Sequence, residues 1–225
     1  MSGRAVAGGL RLHAYWRSSA SWRVRIALAL KGLAVDIVPV HLLRDGGEQH
    51  APAYARLNPQ HLVPTLEHGG QRLRQSLAII EYLDEAWPEP ALLPHDPAGR
   101  ARVRGMAQLI ACDIHPLANL RVRRYLHAAW QVDDAGNDAA ARHWVGTGLN
   151  ALEAWLGGAP PWAFGFGNAP TLADCCLAPQ LYNARRVGLE AARWPRIAAI
   201  ERACLALPAF AATAPECQPD APAPG

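Results

Sequence analysis

The sequence places hydroxyl side chains at the point where a predicted strand ends and a predicted helix begins. Residues 10–15 alternate between apolar and polar side chains as a half-buried strand does, and residues 22–30 have helical spacing. The first N–H groups of a helix lack partners within the helix, and the helix dipole is positive there. The junction therefore predicts a site for a thiolate, carboxylate or phosphate, although Ser21 alone would be explained as a helix cap. The polar residues of the junction are Arg17, Ser18, Ser19 and Ser21.

Charge and cysteine content narrow the class of protein. The chain has 225 residues and a formal net charge of +3, and its arginines are spread over several segments. This argues against nucleic acid as a partner and favours a small anionic ligand. The five cysteines are odd in number and lack CxxC spacing, so we expect reduced thiols, no disulfide framework and no metal site.

The distribution of apolar residues argues against membrane association. No apolar run approaches the length of about 18 residues that a transmembrane helix needs. The first nine residues also lack the long apolar stretch of a signal peptide. We therefore expect no membrane partner and a cytoplasmic location.

Residues 10–93 alternate between strand and helix signals and predict an α/β domain. A second strand is expected over residues 36–42, and residues 65–74 predict a hairpin because a pair of glycines interrupts them. Ser76 is expected to cap the helix that follows. A proline-rich segment comes next, so the domain boundary is expected near residues 90–98.

The strand signals stop beyond this boundary, so residues 98–214 predict an all-α domain. Residues 100–130 would form one long helix that kinks at Pro116, because proline has no backbone N–H to donate; two helices in tandem fit equally well. Residues 215–225 contain four prolines and no apolar period, and they predict a disordered tail. Further helices are expected over residues 139–156, 171–187 and 193–207.

Three further motifs carry polar groups at predicted element boundaries. Val63 precedes Pro64, and a cis peptide there would expose the backbone of Val63 to an extended peptide ligand; an ordinary edge-strand proline is the alternative. Gln75 and Ser76 stand at a helix start and either bind a carboxylate or serve only as a cap. Asp174 follows a threonine at capping-box spacing, which predicts a buried helix start and no catalytic role.

Taken together, these motifs point to one family. The chain resembles the zeta class of glutathione transferases, which includes the maleylacetoacetate and maleylpyruvate isomerases, over residues 10–215. The serine-containing string is specific to this class, whereas the Val-Pro, Gln-Ser and Thr-Leu-Ala-Asp motifs occur in glutathione transferases generally. The matching segments are Ser-Ser-Ala-Ser-Trp-Arg-Val-Arg at 18–25, Leu-Asn-Pro-Gln at 57–60, Val-Pro at 63–64, Gln-Ser at 75–76, Cys-Asp-Ile-His-Pro-Leu at 112–117 and Thr-Leu-Ala-Asp at 171–174.

The resemblance implies a glutathione transferase fold, with a thioredoxin-like N-terminal domain that binds glutathione and a helical domain that binds the substrate. It also implies a homodimer. Ser18 and Ser19 would meet the sulfur of glutathione, where their hydroxyls and the helix dipole favour the thiolate. Val63, next to Pro64, would pair with the cysteinyl backbone. The other residues implied to bind glutathione are Gln75 and Ser76, at its γ-glutamyl carboxylate, and Gln60 and His61.

The implied activity is the cis-trans isomerisation of maleylacetoacetate to fumarylacetoacetate in aromatic amino acid breakdown. The glutathione thiolate adds reversibly to the double bond, rotation takes place about the resulting single bond, and elimination returns the trans product and unchanged glutathione. Because the substrate is a small dicarboxylate, the site should be cationic. Arg17 and His115 are implied to be catalytic and to bind the substrate, with Asn119 beside His115. Arg121 and Arg186 are implied carboxylate ligands, or alternatively solvated surface charges.

One departure from the family pattern limits the chemistry. Many zeta-class members have cysteine at the position of Ala20, and its absence excludes oxidoreduction through an enzyme thiolate at this position. Other activities stay open: isomerisation of maleylpyruvate from gentisate, and glutathione transfer or dehalogenation of α-halo acids. A non-catalytic binding module is a third possibility.

Overall fold

The computed structural model describes residues 9–223, which form two compact units. The first unit comprises the described chain up to Pro90 together with the segment from Ala209 onward. The second unit is Ala91–Pro208. The end of the chain therefore belongs to the first unit, whereas the sequence predicted a helical domain up to residue 214 and then a disordered tail.

A four-stranded mixed sheet forms the centre of the first unit. The order across the sheet is β2-β1-β3-β4, with β1 parallel to β2 and antiparallel to β3. The predicted hairpin is confirmed as β3 and β4, and the two glycines of its turn have φ of 54° and 80°. The strands are β1 (Leu10–Ala14), β2 (Val35–Pro39), β3 (Thr65–His68) and β4 (Gln71–Arg74).

Three helices complete the fold around this sheet. They are α1 (Ser19–Leu30), α2 (Pro52–Leu57) and α3 (Ser76–Ala86), and α1 packs against α3. The β1-α1-β2 crossover, the hairpin and α3 give the thioredoxin-like arrangement that the family resemblance implied, which is confirmed. The core side chains without exposed surface include Leu12, Val24, Ile26, Leu66, Ile79, Ile80 and Leu83.

The second unit is helical throughout its regular structure, as predicted. None of the described helices combines the length and apolarity needed to cross a membrane. Its helices are α4 (Pro97–Gln108), α5 (Leu120–Trp130), α6 (Asp134–Gly157), α7 (Leu172–Arg186) and α8 (Pro195–Leu205), and a short α9 (Pro208–Ala211) follows at the border with the first unit.

The break near Pro116 separates α4 from α5. A π-helical turn, Leu109–Ile114, leads into a 3₁₀ turn, His115–Ala118, and α5 begins at Leu120 after Asn119 as its N-cap. Two helices in tandem are therefore present, and the single kinked helix is wrong. The π-helical and 3₁₀ turns change the spacing of the backbone hydrogen bonds around Pro116, which has no N–H to donate.

Asp174 is fully buried at the start of α7, where the predicted capping box is confirmed. Its Oδ2 accepts hydrogen bonds from the backbone N–H (2.8 Å) and hydroxyl (2.7 Å) of Thr171, and Oδ1 accepts from the N–H of Gly165 at 2.8 Å. Burial raises the pKa of Asp174, while these hydrogen bonds act in the opposite direction. The carboxylate thus satisfies the backbone N–H of the N-cap residue and one N–H of the loop before α7.

The end of the chain differs from the prediction of disorder over residues 215–225. Pro215–Cys217 forms a 3₁₀ turn, and Asp220 accepts a hydrogen bond from the backbone N–H of Trp16 at 3.0 Å. Polar contacts, rather than an apolar face, hold this segment, so a search for hydrophobic periodicity could not find it. Residues 224 and 225 of the predicted tail lie outside the described range.

Lys31 anchors the chain where it leaves the first unit. Its Nζ lies 2.8 Å from Oδ1 of Asp84 and donates to the carbonyl oxygens of Trp87 at 2.6 Å and Pro90 at 2.9 Å. The Lys31 side chain has 0% of its surface exposed. A buried ammonium group needs a partner for each of its donors, and these three acceptors supply them.

We predict that Lys31→Ala lowers the free energy of unfolding by about 3 kcal/mol, because it leaves the largely buried Asp84 carboxylate without its cation. Arg11→Ala is the matched control, since Arg11 and Asp36 form an ion pair with side chains 56% and 64% exposed. The control should cost less than about 1 kcal/mol. Urea unfolding of both variants measures the difference, and equal losses would contradict the anchoring role.

Candidate functional site

The junction between β1 and α1 places a hydroxyl at the N-terminus of α1. Ser18 is the N-cap, and its Oγ accepts a hydrogen bond from the backbone N–H of Ser21 at 3.2 Å. The interpretation of Ser21 as the cap is therefore wrong, because the helix already begins at Ser19. Since Ser18 Oγ accepts in this bond, its own hydrogen is available to a ligand. Ser18 is half-buried and so combines a fixed position with access.

The neighbours of Ser18 differ in accessibility. Ser19 and Ser21 are buried, whereas Arg17 and Ala20 are half-buried. The guanidinium of Arg17 lies 5.3 Å from the centre of the Trp16 ring, a cation–π contact that restrains it beside Ser18. Of the two serines predicted to meet a sulfur, Ser18 is the more accessible.

The peptide bond between Val63 and Pro64 is cis, as the sequence predicted. Val63 lies just before β3, outside the paired part of the sheet. The carbonyl oxygen of the preceding residue, Leu62, accepts hydrogen bonds from the Tyr54 hydroxyl (2.6 Å) and from Nδ2 of Asn58 (2.8 Å). The buried side chains of Tyr54 and Asn58 thus fix the loop before β3. The backbone of Val63 lies before the first paired residue of that strand.

Gln75 and Ser76 start α3, but neither side chain caps it. Gln75 occupies the N-cap position with φ of 70°, and Ser76 is the first helical residue, so the prediction that Ser76 caps the helix is wrong. Nε2 of Gln75 donates to Oε1 of Gln60 at 3.0 Å, and both residues are exposed. Behind them, NH1 of the buried Arg23 donates to Ser76 Oγ at 3.2 Å, which leaves the Ser76 hydrogen available.

His61 shares an unusual backbone conformation with Gln75, since its φ is 54°. Left-handed backbone at a residue other than glycine costs of order 1–3 kcal/mol, and such strain is concentrated at binding sites. Nδ1 of His61 contacts the carbonyl oxygen of Gln49 at 2.9 Å. This contact accounts for the fixed position of His61.

Gln49, whose backbone carbonyl contacts His61, has a buried polar side chain that no sequence pattern indicated. Its side chain is buried, and its Oε1 has no hydrogen-bond partner within the described part of the chain. A buried amide oxygen without a partner is unusual in a folded protein. The residue lies in a 3₁₀ turn, Glu48–His50, between predicted elements, so neither hydrophobic periodicity nor a motif marked it.

In the second unit, His115 opens the 3₁₀ turn that follows the π-helical turn. Nδ2 of Asn119 lies 3.5 Å from Nε2 of His115, so the predicted pair is in contact. The turn packs closely on α6, since a Cβ on Gly148 would lie 2.3 Å from Cγ1 of Ile114. Short π-helical turns are frequent at functional sites, and the close approach at Gly148 fixes this one.

The candidate arginines of the second unit are both exposed. Arg121 lies in the first turn of α5, and Arg186 is the last residue of α7. Other arginines close to them in sequence form ion pairs: Arg123 with Asp138 at 2.7 Å, and Arg185 with Glu201. The exposure of Arg121 and Arg186 makes both accessible to an anionic ligand.

Many of the predicted residues thus stand at or near the ends of secondary structure elements within each unit. In the first unit, Ser18 stands at the start of α1, Val63 and Pro64 stand before β3, and Gln75, in contact with Gln60, precedes α3. In the second unit, His115 is grouped with Asn119, and the two arginines stand on separate helices. The residues of the first unit supply hydroxyl, amide and backbone donors at two helix N-termini, which suits a ligand that carries anionic groups.

Models of two protein domains match this chain. The glutathione S-transferase N-terminal domain matches residues 12–91, and the glutathione S-transferase C-terminal domain matches residues 138–203. Among curated proteins, the maleylacetoacetate isomerase of Pseudomonas aeruginosa is 50% identical over 95% of this chain and 100% of its own length.

Solved structures show the same similarity. The holo structure of a maleylpyruvate isomerase, described as a bacterial zeta-class glutathione S-transferase, matches with a TM-score of 0.91 and 45% identity, covering 94% of this chain and 100% of that one. The maleylacetoacetate isomerase of Anaeromyxobacter dehalogenans, with glutathione bound in its active site, matches with a TM-score of 0.82 and 46% identity over 96% and 99% of the two chains. Another crystal structure of that protein holds dicarboxyethyl glutathione and citrate in the active site.

We predict that Tyr54→Phe loosens the Val63 loop, because it removes the hydroxyl shared between Leu62 and Thr65. The free energy of unfolding should fall by about 1 kcal/mol, the net value of a typical hydrogen bond. Tyr125→Phe is the control, since Tyr125 is 63% exposed. Urea unfolding measures both variants; an equal change in the two would contradict the supporting role of Tyr54.

Proposed function

Because this chain belongs to the zeta class of the glutathione S-transferase family, we propose that it is a glutathione-dependent cis-trans isomerase that converts maleylacetoacetate to fumarylacetoacetate. The substrate assignment is supported by the 50% identity to the Pseudomonas aeruginosa maleylacetoacetate isomerase, whose whole length this chain covers. The observation that carries the chemistry is the half-buried Ser18 at the N-terminus of α1, with its hydroxyl hydrogen available to a ligand.

The residues of the first unit fit glutathione by the chemistry of their donors. Ser18 would meet the sulfur, the backbone of Val63 would pair with the cysteinyl residue, and Gln75 with Ser76 would bind the γ-glutamyl carboxylate. Gln60, in contact with Gln75, supports that end of the site.

When bound, glutathione supplies a thiolate nucleophile that adds to the double bond and leaves again. Ser18 stabilises the negative charge on sulfur by donating its hydroxyl hydrogen, and the dipole of α1 acts in the same direction. At the γ-glutamyl end of the site, the Ser76 oxygen already accepts from Arg23, which leaves its hydroxyl hydrogen available to the carboxylate. Ser18 and the dipole of α1 lower the pKa of the thiol toward neutral pH without a base from the protein.

The enzyme provides no thiol of its own for this step. Ala20 replaces the cysteine found at this position in many zeta-class enzymes, and burial raises the pKa of Cys175 and Cys204 well above the range in which a thiolate forms. Cys112 and Cys217 are exposed, and the mechanism assigns them no role. The nucleophile is therefore the glutathione sulfur.

The substrate is a small dicarboxylate, so its recognition requires cationic groups. Arg17, held beside Ser18 by its contact with Trp16, would stabilise the negative charge that develops during addition. His115, in contact with Asn119, and the exposed Arg121 and Arg186 are the groups of the second unit proposed to bind carboxylates.

The protein is further proposed to act in the cytoplasm as a homodimer. All five cysteines lie in the described range and no disulfide joins them, which suits a reducing compartment. The dimer is proposed from family membership. Light scattering coupled to size-exclusion chromatography tests it directly, and a monomer at micromolar concentration would contradict it.

A comparison of substrates tests the proposed activity. With glutathione present, kcat/KM should be higher on maleylacetoacetate than on maleylpyruvate, and total glutathione should stay constant because the reaction returns it. The opposite preference would assign the enzyme to maleylpyruvate, and net consumption of glutathione would indicate a transferase. Values below about 10² M⁻¹s⁻¹ on both compounds, far under typical enzymes, would exclude both isomerase assignments.

We predict that Ser18→Ala lowers kcat by about a hundredfold, the typical cost of one lost donor to developing charge, and changes glutathione affinity much less. Steady-state kinetics at saturating glutathione measure this effect. Ser18→Thr keeps the hydroxyl and should retain most activity. Because Ser18 also caps α1, Asp133→Ala serves as the control for a lost cap, since Asp133 caps α6 by accepting from the N–H of Gly136 at 2.8 Å. If Ser18→Ala left kcat unchanged, Ser19 would replace Ser18 in this role.

We predict that Arg186→Ala raises KM for the dicarboxylate by about tenfold, because it removes a hydrogen bond to a charged group. The value of kcat should change much less, since the loss affects binding of the substrate more than the addition step. Arg202→Ala is the control, because Arg202 is also exposed and lies on α8. Equal KM values for the wild type and Arg186→Ala would leave Arg186 as a solvated charge.

A further inference from the structure

The C-terminal segment, defined here as residues 213–220, packs on the loop that carries Ser18. Thr213 contacts α1 twice: its hydroxyl oxygen accepts from Nε1 of Trp22 at 3.1 Å, and its carbonyl oxygen accepts from Nε of Arg25 at 3.3 Å. All these residues belong to the first unit. The segment thus adds polar contacts to α1 at Trp22 and at Arg25.

Asp220 extends these contacts to the loop itself. Its Oδ2 accepts a hydrogen bond from the backbone N–H of Trp16 at 3.0 Å. A carboxylate binds a backbone N–H more strongly than a neutral acceptor does. Because the contact spans residues 16 and 220, the local sequence of the loop does not supply it.

Arg25 holds the same stretch of backbone from the carbonyl side. Its NH2 donates to the carbonyl oxygen of Trp16 at 2.9 Å, and its NH1 donates to that of Tyr15 at 3.4 Å. Burial lowers the pKa of Arg25 to about 10, and the nearby charge of Asp220 opposes this shift. The guanidinium is therefore charged at neutral pH, and Asp220 helps to keep it so.

The link from this network to Ser18 is direct. The backbone N–H of Ser18 donates to the carbonyl oxygen of Tyr15 at 3.0 Å, the same oxygen that accepts from Arg25. The turn from Tyr15 to Ser18 is thereby fixed at its start by Arg25, at Trp16 by Asp220 and at its end by the cap of α1. A shift of the Trp16 backbone would rotate the Ser18 hydroxyl.

We propose that Asp220 is a positioning residue for catalysis, through which the C-terminal segment holds the Trp16 backbone and thereby sets the direction of the Ser18 hydroxyl. This inference rests on the proposed role of Ser18 at the glutathione sulfur. Asp220 touches neither glutathione nor the substrate in this scheme. Its effect reaches the sulfur through the turn from Trp16 to Ser18, and the γ-glutamyl end of the site at Gln75 and Ser76 is untouched.

The test compares Asp220→Ala with Asp220→Asn in the full-length protein. Asp220→Ala should lower kcat by about tenfold, as expected for a modest misplacement of a catalytic group. It should also shift the formation of the bound glutathione thiolate, followed by its ultraviolet absorbance, to higher pH. The Kd for glutathione, measured by calorimetry, should change less than twofold. Asp220→Asn keeps an oxygen that can accept from Trp16 and should stay within about threefold of the wild type in kcat.

Gln218→Ala is the matched control within the same segment, because Nε2 of Gln218 donates to the nearby carbonyl oxygen of Ala214 at 3.1 Å. It should leave both kcat and the thiolate titration unchanged. Wild-type values for Asp220→Ala in both measurements would overturn the proposal, and so would an equal loss in Gln218→Ala.

The thiolate titration separates this proposal from the proposed function. If the wild type binds glutathione as thiolate but isomerises neither substrate, the isomerase assignment fails, while a shifted titration in Asp220→Ala still supports the positioning role. If the wild type is active and Asp220→Ala behaves identically, the positioning role fails and the isomerase assignment stands.

If thermal denaturation shows that Asp220→Ala is unfolded, Thr213→Val is the second variant. It removes the hydroxyl that accepts from Trp22, and we expect it to shift the titration in the same direction.

Discussion

The burial of Arg25 within α1 is the constraint on which the arrangement around Ser18 depends. A buried guanidinium stays charged and must have its donors satisfied, and Arg25 meets this requirement with the carbonyl oxygens of Tyr15, Trp16 and Thr213. Packing α1 against the sheet therefore fixes two other parts of the chain: the loop after β1 and the segment near the C-terminus. The hydroxyl of Ser18 is held in place by the same packing that buries the core.

The candidate glutathione site is built mostly at the ends of secondary structure elements. Ser18 caps α1, Val63 precedes β3, and Gln75 precedes α3 with left-handed backbone. At each of these points the chain has backbone groups that its own helix or strand does not use. The side chains behind them, such as Tyr54 and Arg23, hold these ends from the interior. A thioredoxin-like unit thus offers several polar groups to one extended ligand without opening its core.

Much of this arrangement follows from local sequence. The glycine pair predicted the hairpin, Pro64 predicted the cis peptide, and Asp174 predicted the capping box, because each acts through its immediate neighbours. Other features depend on residues far apart in the chain. The interpretation of Ser21 as the cap was wrong because several serines lie close together here and the local sequence does not distinguish between them. In the folded chain Ser18 caps α1, and Ser21 is buried.

The sequence by itself determined the order of elements, the all-helical second half, and the family, since these depend on periodicity, turn residues and contiguous motifs. It also determined that any thiolate at α1 must come from a ligand, because residue 20 is alanine. The tertiary structure decided the contact between residues 16 and 220, the buried amide of Gln49 and the contact of Arg23 with Ser76. The two contacts join polar groups that are distant in sequence, and the burial of Gln49 depends on the packing around it. None of the three leaves a periodic pattern in the sequence, so only the folded chain produces them.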